Sequence, residues 1–270
     1  MYVYINKGSK MDKTIDGIYV KTLGKDTDQA IVFIHGFPYD HTLWDDVIDE
    51  FKDDYYCISY DIRGFGKSEI NTAQFTMQSY VQDLENIILG LKLNKPILCG
   101  FSMGGYITLR ANEREKYKAL ILANTATNSD DDKAKLKRST AISDIDTKGL
   151  EPFVDGFLSA AFSEDFIKKE PLKIKNIKEN IMSFNPLGIK AALLAMMSRT
   201  DTAKSLEETD IPVLLISGED DKIIPKETME LMASTIKDST FVSLSECGHM
   251  SMLENPDGFK SAIRSFLIGL

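Results

Sequence analysis

The chain has 270 residues, which fits one large domain or two small ones with a sizeable core, and its composition, 43% hydrophobic and 27% charged, is that of an ordinary globular protein. A net charge of −9 argues against nucleic acid as the default partner and falls short of the imbalance of a disordered chain. Cys57, Cys99 and Cys247 are odd in number, widely spaced and form no CxxC pair, which argues against a disulfide framework and for reduced thiols in a cytoplasmic protein.

The opening MYVYINKGSK has no signal-peptide core, and no apolar run reaches the length of a membrane span, so no membrane partner is expected. MYVYI and GIYVKTL (17–23) read as a hairpin joined by a polar turn. AIVFIH (30–35) is a continuous apolar run, the mark of a strand covered on both faces. TLWDDVIDEF has helical spacing. YYCISYD (55–61) is the next strand, and MQSYVQDLENIILGL an amphipathic helix. PILCGF (96–101) and YKALILAN (117–124) are strands, with a helix from MGGYITLRANERE between them.

The rhythm then stops. From Ser129 to about Ser205 the segments are helix-like and rich in Lys and Met, without a strong strand. It returns with IPVLLISG (211–218), a helix over about 226–236, TFVSL (240–244) and a final helix over about 256–268. Alternating strands and helices predict an α/β fold with a mostly parallel sheet and helices on both faces. The expected division is a core of 1–128 and 205–270 and a helical insertion of 129–204, which is too long and too periodic to be a loop.

ILCGFSMGGY (97–106) places Gly100-Phe101-Ser102-Met103-Gly104, a GxSxG pattern, between a predicted strand and a predicted helix. A sharp strand-to-helix elbow would hold Ser102 in a strained conformation at the carboxyl edge of the sheet, facing the positive end of the following helix. A serine hydroxyl needs a base, and the base an orienting acid. Of His35, His41 and His249, the last sits in SECGHMSMLENP between the final strand and the final helix, where a loop can reach the elbow. The acid should fall between serine and histidine in chain order. SGEDDKIIP (217–225) offers Glu219, Asp220 and Asp221; spacing from Gly218 favours Asp221, with Asp220 the runner-up. HGFP (35–38) ends a strand, and Gly36 lets it bend toward the elbow. The N–H groups of Phe37 and Met103 are the expected oxyanion donors, Pro38 shapes the loop, and His35 is expected to hold it by hydrogen bonds.

HGFP, DIRGFGKS (61–68), GFSMGG, GEDDKIIP and CGHMSMLENP, in that order over nearly the whole chain, resemble the α/β-hydrolase superfamily. The resemblance implies an eight-stranded, mostly parallel sheet, a helical cap over the active site, and a triad of Ser102, Asp221 and His249. It also implies a loop carrying Asp61 and Arg63 as a local ion pair. Within the superfamily the chain is similar to 3-oxoadipate enol-lactonases, carboxylesterases, cofactor-free haloperoxidases and pimeloyl-carrier methyl esterases. Ser102 separates it from epoxide hydrolases and haloalkane dehalogenases, which attack with an aspartate. RGFGKS fails as a P-loop, because Asp61 stands where the first glycine belongs. No His, Cys and Asp cluster has metal-site spacing, so neither a metal nor a cofactor is expected.

The expected reaction is hydrolysis of a small or medium acyl ester through an acyl-enzyme, by a monomer or homodimer. Trp44 is a candidate pocket residue or a packing residue. A lactonase or methyl esterase acting on a carboxylate-bearing substrate is the alternative, with Arg199 as candidate cation. Lys168, Lys169, Lys173, Lys175 and Lys178 could dock an acidic carrier protein or form a solvated, internally paired face. A slowly turning-over ligand receptor is the alternative of another class.

Overall fold

A computed structural model describes residues 11–70, 75–114 and 117–270. Its sheet has eight strands: β1 (Met11–Ile15), β2 (Ile18–Leu23), β3 (Ala30–Ile34), β4 (Tyr56–Tyr60), β5 (Ile97–Phe101), β6 (Leu120–Ala123), β7 (Val213–Gly218) and β8 (Ser239–Leu244). Their spatial order is β1-β2-β4-β3-β5-β6-β7-β8. β1 and β2 are antiparallel to their neighbours, and the other six are mutually parallel. Every residue of β3, β5 and β7 is buried, so both faces of the sheet are covered, as their uninterrupted apolar runs require.

The opening hairpin differs from the expectation. The strand preceding the turn is Met11–Ile15, and MYVYI lies outside the described residues. Asp16 and Gly17, both at positive φ, form the two-residue turn between Ile15 and Ile18.

Five helices flank the parallel strands: α1 (Asp45–Phe51), preceded by a tight 3-10 turn at His41–Trp44, α2 (Met77–Gly90), α3 (Met103–Asn112), and, later in the chain, two more on either side of β8. α2 starts at a reciprocal cap between Thr76 and Ser79 and buries Tyr80, Val81, Leu84 and Ile87 along one stripe. Its Asp83 receives a two-pronged hydrogen bond from Arg63, 2.6 Å from Nε and 2.5 Å from Nη2. Arg63 is therefore paired with Asp83, not with Asp61. The buried Asp61 carboxylate instead accepts from the His41 backbone N–H and ring Nδ1–H and from the Lys67 N–H. The chain turns so tightly here that Gly66, at positive φ, rests against that carboxylate.

Between β6 and β7 lie six helices: α4 (Asp132–Lys148), α5 (Leu150–Ala161), α6 (Glu164–Lys169), α7 (Pro171–Met182), α8 (Pro186–Met197) and α9 (Ala203–Glu207). The remaining helices are α10 (Lys226–Thr235), α11 (Ser251–Glu254) and α12 (Pro256–Ile268). Among the described residues no helix is long and apolar enough to cross a membrane.

The inserted helices are seated on the loops at the carboxyl edge of the sheet. Phe153 and Phe157 of α5 meet the Phe37 ring edge-on, and Phe184 meets Phe65 in the same way. Asn180 donates to Asp40 at 3.0 Å. Gly188, at the start of α8, touches the Gly64 backbone so closely that a β-carbon would overlap the Gly64 carbonyl. We expect Gly188→Ala to destabilise the protein by about 1–3 kcal/mol through overpacking. Gly156→Ala, whose methyl meets nothing within 4 Å in the middle of α5, should be neutral or stabilising by up to about 1 kcal/mol. Urea unfolding of the two variants beside wild type checks both signs.

Candidate active site

The parallel register aligns Ile34 with Gly100, Phe101 with Ala123, Ala123 with Ile216 and Gly218 with Leu244, so five strands end along one edge. Among the six parallel strands, chain order runs outward from β3 to β4 in one direction and from β5 to β8 in the other, which makes the crevice between the ends of β3 and β5 the topological switch point. His35, Gly36 and Phe37 leave β3 on one side of it, and Ser102 leaves β5 on the other.

Ser102 has φ 50° and ψ −113°, a conformation that side chains rarely adopt. It is fixed from three directions. Its N–H donates to the Ala123 carbonyl at 2.9 Å, and its carbonyl accepts from Thr125 Oγ1 at 2.9 Å and from the Tyr106 N–H at 3.1 Å. The surrounding glycines have a steric cause. A β-carbon on Gly100 would strike the Gly104 carbonyl and Thr108 Oγ1, and one on Gly104 would strike the Ile34 carbonyl. The elbow is closed by backbone packed on backbone.

His249 Nε2 lies 2.9 Å from Ser102 Oγ, and its Nδ1 lies 2.8 Å from Asp221 Oδ2. An ionised carboxylate can only accept, so Nδ1 carries the ring proton and Nε2 presents a lone pair to the serine hydroxyl. Asp221 is surrounded by donors. Oδ1 accepts from the Ile223 and Ile224 amides at 2.8 and 2.9 Å, and Oδ2 also accepts from Asn124 Nδ2 at 2.9 Å. Burial alone would raise its pKa; the adjacent His249, the Ile224 amide and Asn124 reverse that and hold it below the ordinary aspartate value. Asp220 and Glu219 are exposed. Of the three acidic residues in this loop, the structure brings Asp221 to the histidine.

Asn124 and Ser251 belong to the same network. Ser251 Oγ donates to Asn124 Oδ1 at 2.6 Å, which fixes the amide so that its NH2 faces Asp221. Both residues are fully buried. The Phe101 ring packs 5.0 Å from the His249 ring on one side and leaves no room for a β-carbon at Gly36 on the other. That contact brings the chain leaving β3 against the elbow. Among the described residues, neither the Phe37 nor the Met103 N–H donates to another backbone carbonyl.

His35 is placed as a loop holder. The Ile62 N–H donates to its Nε2 at 2.9 Å, so its Nδ1–H donates to the Gly36 carbonyl at 2.8 Å. Burial keeps its pKa below that of free histidine. Asp40, His41 and Asp61 bring possible metal-ligating atoms within 4.8 Å of one another. Their four carboxylate oxygens already accept from Thr42, Asn180, His41 and Lys67, which makes the cluster a lock on the loop.

Trp44 is fully buried between Phe33 and Phe259, in the core beneath the loop. The Arg199 guanidinium is engaged by Asp130 and the Asn128 carbonyl and lies 4.1 Å over the Tyr106 ring. In the lysine run, Lys178 pairs with Glu151 and Asp155, Lys175 with Glu179 and Lys168 with Glu164, while Lys173 reaches the Leu253 carbonyl. Burial pushes all three thiols well up, so none is a ready thiolate.

A family model described as the alpha/beta hydrolase fold matches residues 29–256. The chain belongs to the alpha/beta-hydrolase family. It is 25% identical over 248 residues to 3-oxoadipate enol-lactonase 2 of Acinetobacter baylyi, covering 91% of each chain. To the pimeloyl-acyl-carrier-protein methyl ester esterase of Legionella pneumophila it is 26% identical, over 88% of this chain and 94% of that one. The solved structure of a thermophilic esterase from Thermogutta terrifontis superposes with a TM-score of 0.89 at 30% identity, covering 97% and 98% of the two chains.

Asp130 anchors the base of the hydrolase's inserted helices through Arg138, 2.6 Å from Nε, and through Arg199. Burial would raise its pKa, but the two guanidinium groups bring it below the ordinary value. A depressed folded pKa adds stability that is fully present above the unfolded value of about 3.9 and disappears as pH falls through the folded value. Asp130→Asn should therefore be less stable than wild type by about 2 kcal/mol at neutral pH. Urea unfolding as a function of pH should show a constant gap above about pH 4 that closes below it.

Proposed function

We propose that this alpha/beta hydrolase cleaves carboxylic esters of small or medium acyl chain, with Ser102 as nucleophile, His249 as general base and Asp221 as orienting acid. The observation that carries the proposal is the continuous relay from Asp221 through both ring nitrogens of His249 to a strained Ser102. In the proposed cycle His249 Nε2 takes the Ser102 proton as Oγ attacks the ester carbonyl. Asp221 keeps the imidazole in the required tautomer and stabilises its cation. The Phe37 and Met103 amides receive the oxyanion, each contributing about 3 kcal/mol. His249 protonates the departing alcohol, then draws a proton from water, which attacks the acyl-enzyme; as the bond to Ser102 Oγ breaks, the imidazolium returns its proton to that oxygen and the acid is released.

Residues 129–204 act as a cap in this proposal. Their contribution to selectivity is apolar: Phe153, Phe157 and Phe184 face Phe37 and Phe65 beside the elbow. An acyl chain fits such a wall better than a carboxylate does. The engagement of Arg199 by Asp130 further weakens the reading as a lactonase or methyl esterase for a carboxylate-bearing substrate.

The test is hydrolysis of p-nitrophenyl esters from acetate to decanoate. Wild type should turn over, best on shorter chains. Ser102→Ala should lose about 10⁴-fold or more in kcat and Asp221→Asn about 10⁴-fold, with both variants folded. Turnover indifferent to Ser102 would overturn the assignment; stoichiometric ligand binding without turnover would favour a receptor.

A further inference from the structure

Three consecutive amides around His249 are held, and only one of their acceptors is a residue of the neighbouring chain turn. Glu254 Oε1 accepts from the Gly248 N–H at 3.1 Å and from the Met250 N–H at 3.2 Å. Its Oε2 accepts at 2.9 Å from the N–H of Ser163, which lies between α5 and α6 in the insertion. The His249 N–H donates at 2.9 Å to the carbonyl of Ala161, the last residue of α5. Gly248 is pressed so closely on this junction that a β-carbon would meet Glu254 Oε1, the Ser163 nitrogen and the Ala161 carbonyl at 3.0–3.1 Å.

We propose that Glu254 is a positioning residue: its single carboxylate locks the His249 loop to the inserted helices and so sets the imidazole against Ser102. The proposal rests on His249 being the general base. The geometry gives the two oxygens separate duties. Oε1 fixes the loop on both sides of the histidine, and Oε2 fixes that loop to the insertion. An aspartate or glutamate can accept on both oxygens, whereas the amide of glutamine accepts on one and donates from the other. Glutamine therefore leaves at least one of the three N–H groups facing another donor. An insertion displaced from its seat would release Ser163 from Oε2 and Ala161 from the histidine amide together, loosening the base when the site is uncovered.

The test uses the full chain with p-nitrophenyl acetate and the variants Glu254→Ala, Glu254→Gln, Ser163→Pro and Ser163→Ala. Ser163 has φ −64°, and the preceding Phe162 is extended, so proline fits and removes the N–H. Ser163→Ala keeps the N–H and shares the loss of the hydroxyl that caps α6. Misplacing a catalytic group by about 1 Å costs up to about 10²-fold. We expect kcat to fall about ten- to hundredfold in Glu254→Ala, with KM within about twofold of wild type, and less in Glu254→Gln. Ser163→Pro should fall below Ser163→Ala in kcat. A folded Glu254→Ala enzyme with wild-type kcat, or Ser163→Pro equal to Ser163→Ala, overturns the proposal. If Glu254→Ala does not fold, the Ser163 pair decides alone.

A readout independent of turnover is the low-field proton resonance of His249 Nδ1, bonded to Asp221. Its loss in folded Glu254→Ala supports the positioning role, and its persistence unchanged overturns it. If Ser102→Ala leaves turnover unaffected, the ester-hydrolase reading fails on its own, and this resonance still decides the role of Glu254.

Discussion

The first turn of α3 lies directly on the last carbonyls of β3, with no space for a side chain at Gly104, and the rest of the site is arranged around that approach. It forces the chain at Ser102 into a left-handed turn and brings the Phe37 loop beside the elbow. A conformation of this kind costs about 1–3 kcal/mol and persists only where its surroundings over-determine it. Here the surroundings are the Ala123 carbonyl, the Thr125 hydroxyl and the Tyr106 amide, all from the buried β6 and α3 region. The well-packed parallel sheet thus supports the strain at its own edge.

A second regularity is electrostatic. Several buried or half-buried carboxylates serve as collecting points for N–H groups of otherwise irregular chain. Asp221 gathers two amides, an asparagine and the histidine ring; Asp61 gathers two amides and His41; Glu254 gathers three amides from two regions. Loops at a sheet edge have backbone donors that no ladder satisfies, and leaving them unpaired in a buried place is costly. A carboxylate with two oxygens and several lone pairs meets that need in one residue. Irregular loops can therefore be as fixed as the strands that carry them.

What could be read from the sequence follows the range of the interactions. GxSxG between a strand and a helix is a local pattern with a local steric cause, so the elbow was legible. The strand rhythm was legible because burial on both faces leaves long apolar runs. Asn124 was not, because its partner Asp221 is 97 residues away and an asparagine after a strand reads as turn chemistry. The Arg63 pairing differs from the expectation for a similar reason: nearness in sequence suggests Asp61, while the fold brings α2 and Asp83 to the guanidinium. Trp44 sits at a helical position where a pocket wall and a core contact have the same pattern, and the structure buries it. The opening hairpin differs from the expectation because the β-branched and aromatic MYVYI is a stronger strand pattern than MDKTI, although Asp16-Gly17 is itself the stronger turn signal.

The bond from the His249 amide to the Ala161 carbonyl makes the inserted helices poor candidates for wholesale exchange. In recombination between relatives, a crossover that replaces the segment from α4 to α9 replaces the backbone that positions an acceptor for the histidine loop, whatever it does to the aromatic contacts with Phe37 and Phe65. Grafts that keep the end of α5 with its native loop preserve that acceptor, and they must also keep Asn180 of α7 and Gly188 of α8, which bear on Asp40 and Gly64 of the core.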